Sequence, residues 1–161
     1  MATLERIHFV PHYLVRRENA VAYSPSSSRP SIEGLPQIFW ADYAPWREAN
    51  LWAVERATTG DASLKTVASN MNGLLNYAKF LESRDLQWFE FPARKADRCL
   101  VLYRGALIKM RDAGQIGPST ASEYMRNCIM FYRWVRHREL LSPHVQLWRE
   151  KPYVVKYFDR V

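Results

Sequence analysis

Between residues 63 and 83 the apolar residues Leu64, Val67, Met71, Leu74, Leu75, Ala78 and Leu81 recur at steps of mostly three or four, with no proline among them. This spacing gathers them into one stripe of an α-helix, leaving Lys65, Ser69, Asn72, Asn76 and Lys79 elsewhere on its surface. Such a helix gains its stability by burying the stripe, so the rest of the chain has to supply apolar faces to cover it.

Three further segments supply them. Pro45 opens an amphipathic stretch to about residue 57, with Trp46, Ala49, Trp52, Ala53 and Arg56 at steps of three and four, closed by Gly60-Asp61. Residues 95–113 repeat Leu100, Tyr103, Leu107 and Met110 and stop at Gly114, a residue suited to the left-handed turn that ends helices. A fourth helix follows Gly117-Pro118, with Thr120 and Glu123 as a predicted capping box, and runs through Tyr124, Cys128, Phe131, Tyr132 and Val135 toward Glu139. Trp88, Phe89, Phe91 and Pro92 form the apolar connector between the second and third helices. The pattern predicts an all-α fold, a compact bundle of four helices over residues 37–142.

Residues 1–36 read as an arm and linker, with β-like runs at 8–15 and 20–23 followed by a Ser- and Pro-rich loop at 24–31. Residues 143–161 read as a connector toward a further domain, with an extended run at Tyr153, Val154, Val155, Lys156, Tyr157 and Phe158.

With 161 residues, 48% of them apolar and 14% aromatic, the chain has enough material for one domain with a hydrophobic core. Trp52, Tyr77, Phe80, Tyr103, Tyr124, Phe131, Tyr132 and Trp134 stand mostly at core spacings and are expected to pack rather than to stack on bases. Cys99 and Cys128 lie in half-apolar helical stretches, where a buried reduced thiol is the common state and a disulfide the rarer one. No run approaches the roughly 18 apolar residues of a membrane span, and Glu5, Arg6 and His8 interrupt any signal-peptide core, so a soluble cytoplasmic protein is expected.

The formal charge is +7, and residues 94–138 alone carry ten basic residues against Asp97, Asp112 and Glu123. Such an excess favours an anionic partner. On the second helix Lys65, Thr66, Ser69, Asn72 and Asn76, and on the fourth Ser119, Thr120, Ser122, Arg126 and Arg133, are residue types that donate to phosphates and read base edges. The competing explanation is that both are solvated faces of a bundle.

Catalytic chemistry finds no foothold. His8 and His12 have the spacing of a helical metal pair, but Pro11 between them opposes a helix and no carboxylate or thiol cluster completes a site. There is no Gly-rich phosphate loop, no Gly-x-Ser-x-Gly elbow and no CxxC pair. Neither a cofactor nor a metal is expected.

Leu64-Lys65-Thr66-Val67 opens the helix that carries 74–82, Trp88 follows in the connector, and 119–126 leads to Phe131-Tyr132-Arg133-Trp134-Val135 and the exit Leu140-Leu141-Ser142-Pro143. In order and spacing this resembles the SAM-like core-binding domain of tyrosine recombinases, the phage integrase family, over about half the chain. The resemblance implies a four-helix DNA-gripping domain on one side of a C-shaped clamp, with helices two and four toward duplex DNA and other recombinase protomers joining in a synapse; the free chain is expected to be a monomer. The family's reaction uses an Arg, a Lys, a His-x-x-Arg pair and a Tyr nucleophile that attacks the scissile phosphate. This sequence has no His-x-x-Arg motif, so Tyr153 and Tyr157 are given no catalytic role and the catalytic domain is expected to lie outside the 161 residues.

Two other functions compete. A helical protein-interaction module would use exposed Trp and Tyr residues to dock a partner, the charge serving only solubility. A helix-turn-helix regulator would need a tight turn, which the stretch 85–95 is too long to provide.

Overall fold

Four helices form where the apolar spacing places them. The computed structural model describes residues 1–148. It contains α1 (Arg47–Thr58), α2 (Leu64–Ser83), α3 (Cys99–Asp112) and α4 (Pro118–His137). The extended run expected at Tyr153 to Phe158 lies outside the described residues. Ser63 caps α2 by accepting the Thr66 N–H at 3.2 Å, and Gly114 follows α3 with φ of 70°. The third helix starts later than its periodicity suggests. A 3-10 turn at Lys95–Asp97 ends at extended Arg98, whose guanidinium donates to the carbonyls of Pro92, Ala93 and Gln146.

The Thr120/Glu123 capping box does not form. Gly117 takes the N-cap without a side-chain bond, and Pro118, which has no N–H to satisfy, stands in the first turn. The Glu123 carboxylate instead accepts the Ser69 hydroxyl at 2.8 Å, joining α4 to α2.

The all-α expectation is corrected by the first 39 residues. β1 (Thr3–Phe9) pairs antiparallel with β4 (Ile32–Phe39), and β2 (His12–Arg17) with β3 (Ala20–Pro25), so the fold is mixed α/β. The Ser26 N–H donates to the Pro11 carbonyl at 2.7 Å between the two sheets, which makes them base and tip of one long ribbon. β1 and β4 find each other across some thirty residues, a pairing that leaves no local periodicity. β4 also contains Gly34 and Pro36, which read as strand breakers. Gly34, with φ of 74°, sits where the register slips between Ile7 and Phe9, the conformation of a bulge that bends the strand.

The base of the ribbon belongs to the core. Ala2, Leu35 and Ile38 are buried, and β4 packs on both α1 and α2. The Asn50 side chain docks α1 to it by accepting the Ile38 N–H at 2.7 Å and donating to the Ile38 carbonyl at 3.0 Å. Glu82 fixes the other side, accepting the N–H of Ala2 at 2.5 Å and of Ala41 at 2.7 Å.

The centre is aromatic. Phe131 meets the edges of Trp46 and Trp52 at 5.2 and 5.9 Å between ring centroids, and Tyr77 lies 4.8 Å from Tyr103. Trp52, Tyr77, Tyr103, Phe131 and Tyr132 are buried, with Phe80, Tyr124 and Trp134 half-buried, in keeping with their core spacing. Cys99 and Cys128 are buried free thiols.

α2 and α4 make the closest helix pair. Ser69 meets Glu123, Asn70 meets Asn127 at 3.0 Å, and the Tyr77 and Tyr132 hydroxyls meet at 2.9 Å, so contacts advance along both helices together and the two run parallel. Gly73 sits at the crossing, where a Cβ would stand 2.4 Å from Asn127 Nδ2 and 3.0 Å from its Cβ. Gly73→Ala is therefore expected to lower the unfolding free energy by about 1–3 kcal/mol through overpacking, although alanine favours a helix by about 1 kcal/mol over glycine. Urea denaturation measures this; an unchanged or raised midpoint would mean that α2 and α4 stand further apart.

Candidate functional site

The parallel α2–α4 pair brings together residues that the sequence separates by more than fifty positions. Ser69 and Glu123 mark the line where the helices meet. Lys65 and Asn72 stand four before and three after Ser69 on α2, and Ser119 and Arg126 four before and three after Glu123 on α4, so each set lies about one turn from its own helix's contact residue. Because the helices run parallel, their free N-terminal N–H groups and positive dipole ends also lie at one end of the pair.

The ten predicted residues do not share one role. Lys65, Asn72, Ser119, Ser122 and Arg126 are exposed, and their side chains have no hydrogen-bond or ion-pair partner among the described residues. Thr120 is half-buried. Arg133 is exposed and already engaged in a contact. The other three serve the fold. The Thr66 hydroxyl lies 3.0 Å from the Ser63 hydroxyl within the cap. Ser69 holds Glu123, and half-buried Asn76 accepts the Tyr103 hydroxyl at 2.8 Å.

The basic excess divides in the same way. Arg98 is spent on backbone carbonyls, Arg138 pairs with Glu55 at 2.6 Å, Arg111 with Asp112 at 2.8 Å and Arg94 with Asp97 at 3.8 Å. Lys95, Arg104, Lys109, Arg126 and Arg136 remain without an acidic partner among the described residues. The free positive charge therefore stays on α3, α4 and their surroundings.

No constellation for catalysis appears among the described residues. The titratable groups that burial perturbs most are Tyr77, Tyr103, Tyr132, Cys99 and Cys128, all held well inside the core and kept protonated by loss of hydration. Tyr132 donates to the Trp88 carbonyl at 2.6 Å, which locks the connector onto α4 rather than activating a nucleophile. An open depression of about 1050 Å³ beside α3 and α4 is lined by Leu100, Val101, Met125 and Ile129 with the cations Lys95, Arg98 and Arg104, and among the described residues it has no carboxylate, histidine or thiol in its lining. His8 pairs with Glu33 across β1 and β4, and His12 Nδ1 lies 2.7 Å from the Val10 carbonyl. Among the described residues no group of three or more metal-ligating side chains comes together.

No family model, no curated protein and no solved structure matches the chain. No helix among the described residues is long and apolar enough to cross a membrane.

Three cations escaped the sequence reading because they lie on the ribbon: Arg16, Arg17 and Arg29 are exposed and unpaired among the described residues. Arg16-Arg17 at the turn between two β-like runs was the available signal.

The buried thiols give a pH dependence of definite sign. Their pKa values are raised in the folded chain above the ordinary 9.0, chiefly by desolvation, so above pH 9 the unfolded chain loses protons that the folded chain retains. Unfolding free energy should then fall as pH rises past about 9, by up to about 1.4 kcal/mol per pH unit for each thiol, with the buried tyrosines adding to the fall at higher pH. Urea unfolding at pH 7.5 and 10 measures it; equal stabilities would show that the core accommodates thiolates.

Proposed function

We propose that this chain grips duplex DNA through the joined α2–α4 face, as the non-catalytic, DNA-clamping part of a site-specific tyrosine recombinase acting in the cytoplasm. The observation that carries the reading is the Ser69–Glu123 bond, which ties together two helices that both carry free donors. Unpaired Lys65 and exposed Asn72 on α2, and unpaired Arg126 with exposed Ser119 and Ser122 on α4, stand in the N-terminal halves of helices whose N-termini lie at one end of the pair. Phosphate oxygens need this combination of cations, short donors and free backbone N–H groups, and base edges need the amide and guanidinium.

The recombinase assignment rests on the order of motifs from Leu64 to Pro143. In this reading the chain supplies grip and register, while strand breakage belongs to catalytic groups that its sequence does not contain and synapsis to other protomers on the DNA.

Titration of the chain with a mixed-sequence duplex at 50 and 200 mM salt tests the proposal. Affinity should fall steeply with salt, with the logarithmic slope losing about 0.9 for each phosphate contact removed. Lys65→Ala with Arg126→Ala should weaken binding about tenfold, or ~1.4 kcal/mol, and flatten the slope. Unchanged affinity of that double variant would sink the site assignment. No binding even at low salt would sink the DNA reading and favour a protein-interaction module.

A further inference from the structure

Among the described residues the tip of the ribbon packs on no other element. There β2 and β3 contact only each other, touching no helix and neither strand of the base. Their register sets Leu14 opposite Tyr23 and Arg16 opposite Val21, so these four side chains share one face. Leu14 is 62%, Val21 60% and Tyr23 74% exposed, an apolar strip with a guanidinium at its end. Arg17 stands on the opposite face and Arg29 in the loop that returns to the base, against a single acid, Glu18, at the turn. A two-stranded hairpin of this length is marginal in water by itself, and it leaves both edges and one apolar face without a covering surface.

We infer that the β2–β3 ribbon is a second DNA contact, laid in the major groove of the same duplex that α2 and α4 grip. The inference rests on the proposed function and adds to it a base-reading element. Charge selects the occupant. The tip carries a net positive charge, as does the helical body, so a second copy of the chain meets repulsion where a polyanion meets attraction. Dimensions select the groove. Two strands stand about 4.8 Å apart and with their side chains fit a groove about 12 Å wide, while the minor groove, about 6 Å wide, is too narrow. The residue types suit what that groove displays, Arg16 for the paired acceptors of guanine and Leu14 and Val21 for the methyl group of thymine. Position agrees as well. Arg29, Pro30 and Ile32 line a depression with Ala57, Thr58 and Thr59 at the end of α1. From Thr59 the four residues to Ser63, the cap of α2, keep the root of the ribbon within roughly 14 Å of the start of the candidate helix face.

The test uses the whole chain and two duplexes of the same sequence. One is unmodified; in the other the cytosines carry glucosylated hydroxymethyl groups that fill the major groove. Two variants alter the ribbon alone, Arg16→Ala with Arg17→Ala and Leu14→Ser with Tyr23→Ser. Since the tip supports no part of the core, thermal unfolding of both should match the parent chain. The parent should bind the modified duplex about tenfold more weakly, and the arginine variant should lose much of that discrimination together with up to about 2 units of the logarithmic salt slope. The Leu14/Tyr23 variant should keep the slope and lose affinity for the unmodified duplex. Identical slopes and identical discrimination in parent and variants would overturn the ribbon contact while leaving the α2–α4 grip intact. Absence of duplex binding at low salt would overturn both. Loss of self-association in the Leu14/Tyr23 variant, seen by sedimentation without any change in DNA binding, would give the face to a second copy instead and overturn the proposal.

Discussion

The close approach of α2 and α4 is the constraint from which the rest of the molecule follows. Two helices can meet at this separation only where one presents no side chain, and Gly73 provides that gap for Asn127. The amide that fills it is itself buried and needs partners, which Asn70 and the Ser69 carbonyl provide. One apolar vacancy and one polar filler thus fix the register between helices that are far apart in sequence. Tyr77 and Tyr132 then meet by their hydroxyls one or two turns further on, and Tyr132 reaches the Trp88 carbonyl and clamps the connector.

How much of this was legible depended on whether the information was local. The stripe from Leu64 to Leu81 and the alternation of Phe131, Tyr132 and Val135 with polar residues are short-range patterns, and the helices they announce are present within a residue or two of their expected ends, α3 excepted. The β1–β4 pairing joins residues that are distant in the chain and includes Gly34 and Pro36, whose local preferences argue against a strand. Tertiary burial of Leu35 and Ile38 overrides those preferences, and burial of that kind has no signature in a window of neighbouring residues. The cap at α4 failed for a related reason. Glu123 had the right spacing to close on Thr120, but a partner on another helix, Ser69, took its carboxylate.

The candidate site was half legible. Exposure could be read from helical spacing, which placed Lys65, Asn72, Ser119, Ser122 and Arg126 correctly outside the core. Occupation by structural bonds could not, because it needs the third dimension. Asn76 and Ser69 look like Asn72 and Ser122 in sequence, yet Tyr103 and Glu123 engage the first two and leave the others free. The same sorting applies to the arginines, where Arg98 and Arg138 hold the fold together while Arg126 does not.

Asn50 has a consequence of a different kind. By accepting and donating at Ile38 its side chain behaves as a neighbouring strand would, so the outer margin of β4 is already sealed at that residue. A ribbon open along its whole length invites lateral growth into ordered aggregates, and natural proteins suppress this by covering or charging their margins. Here the two devices are divided along one ribbon, an amide from a helix at the root and a pair of arginines at the tip. Solubility of the chain at high concentration is thus tied to one buried amide at the root as much as to the arginines at the tip.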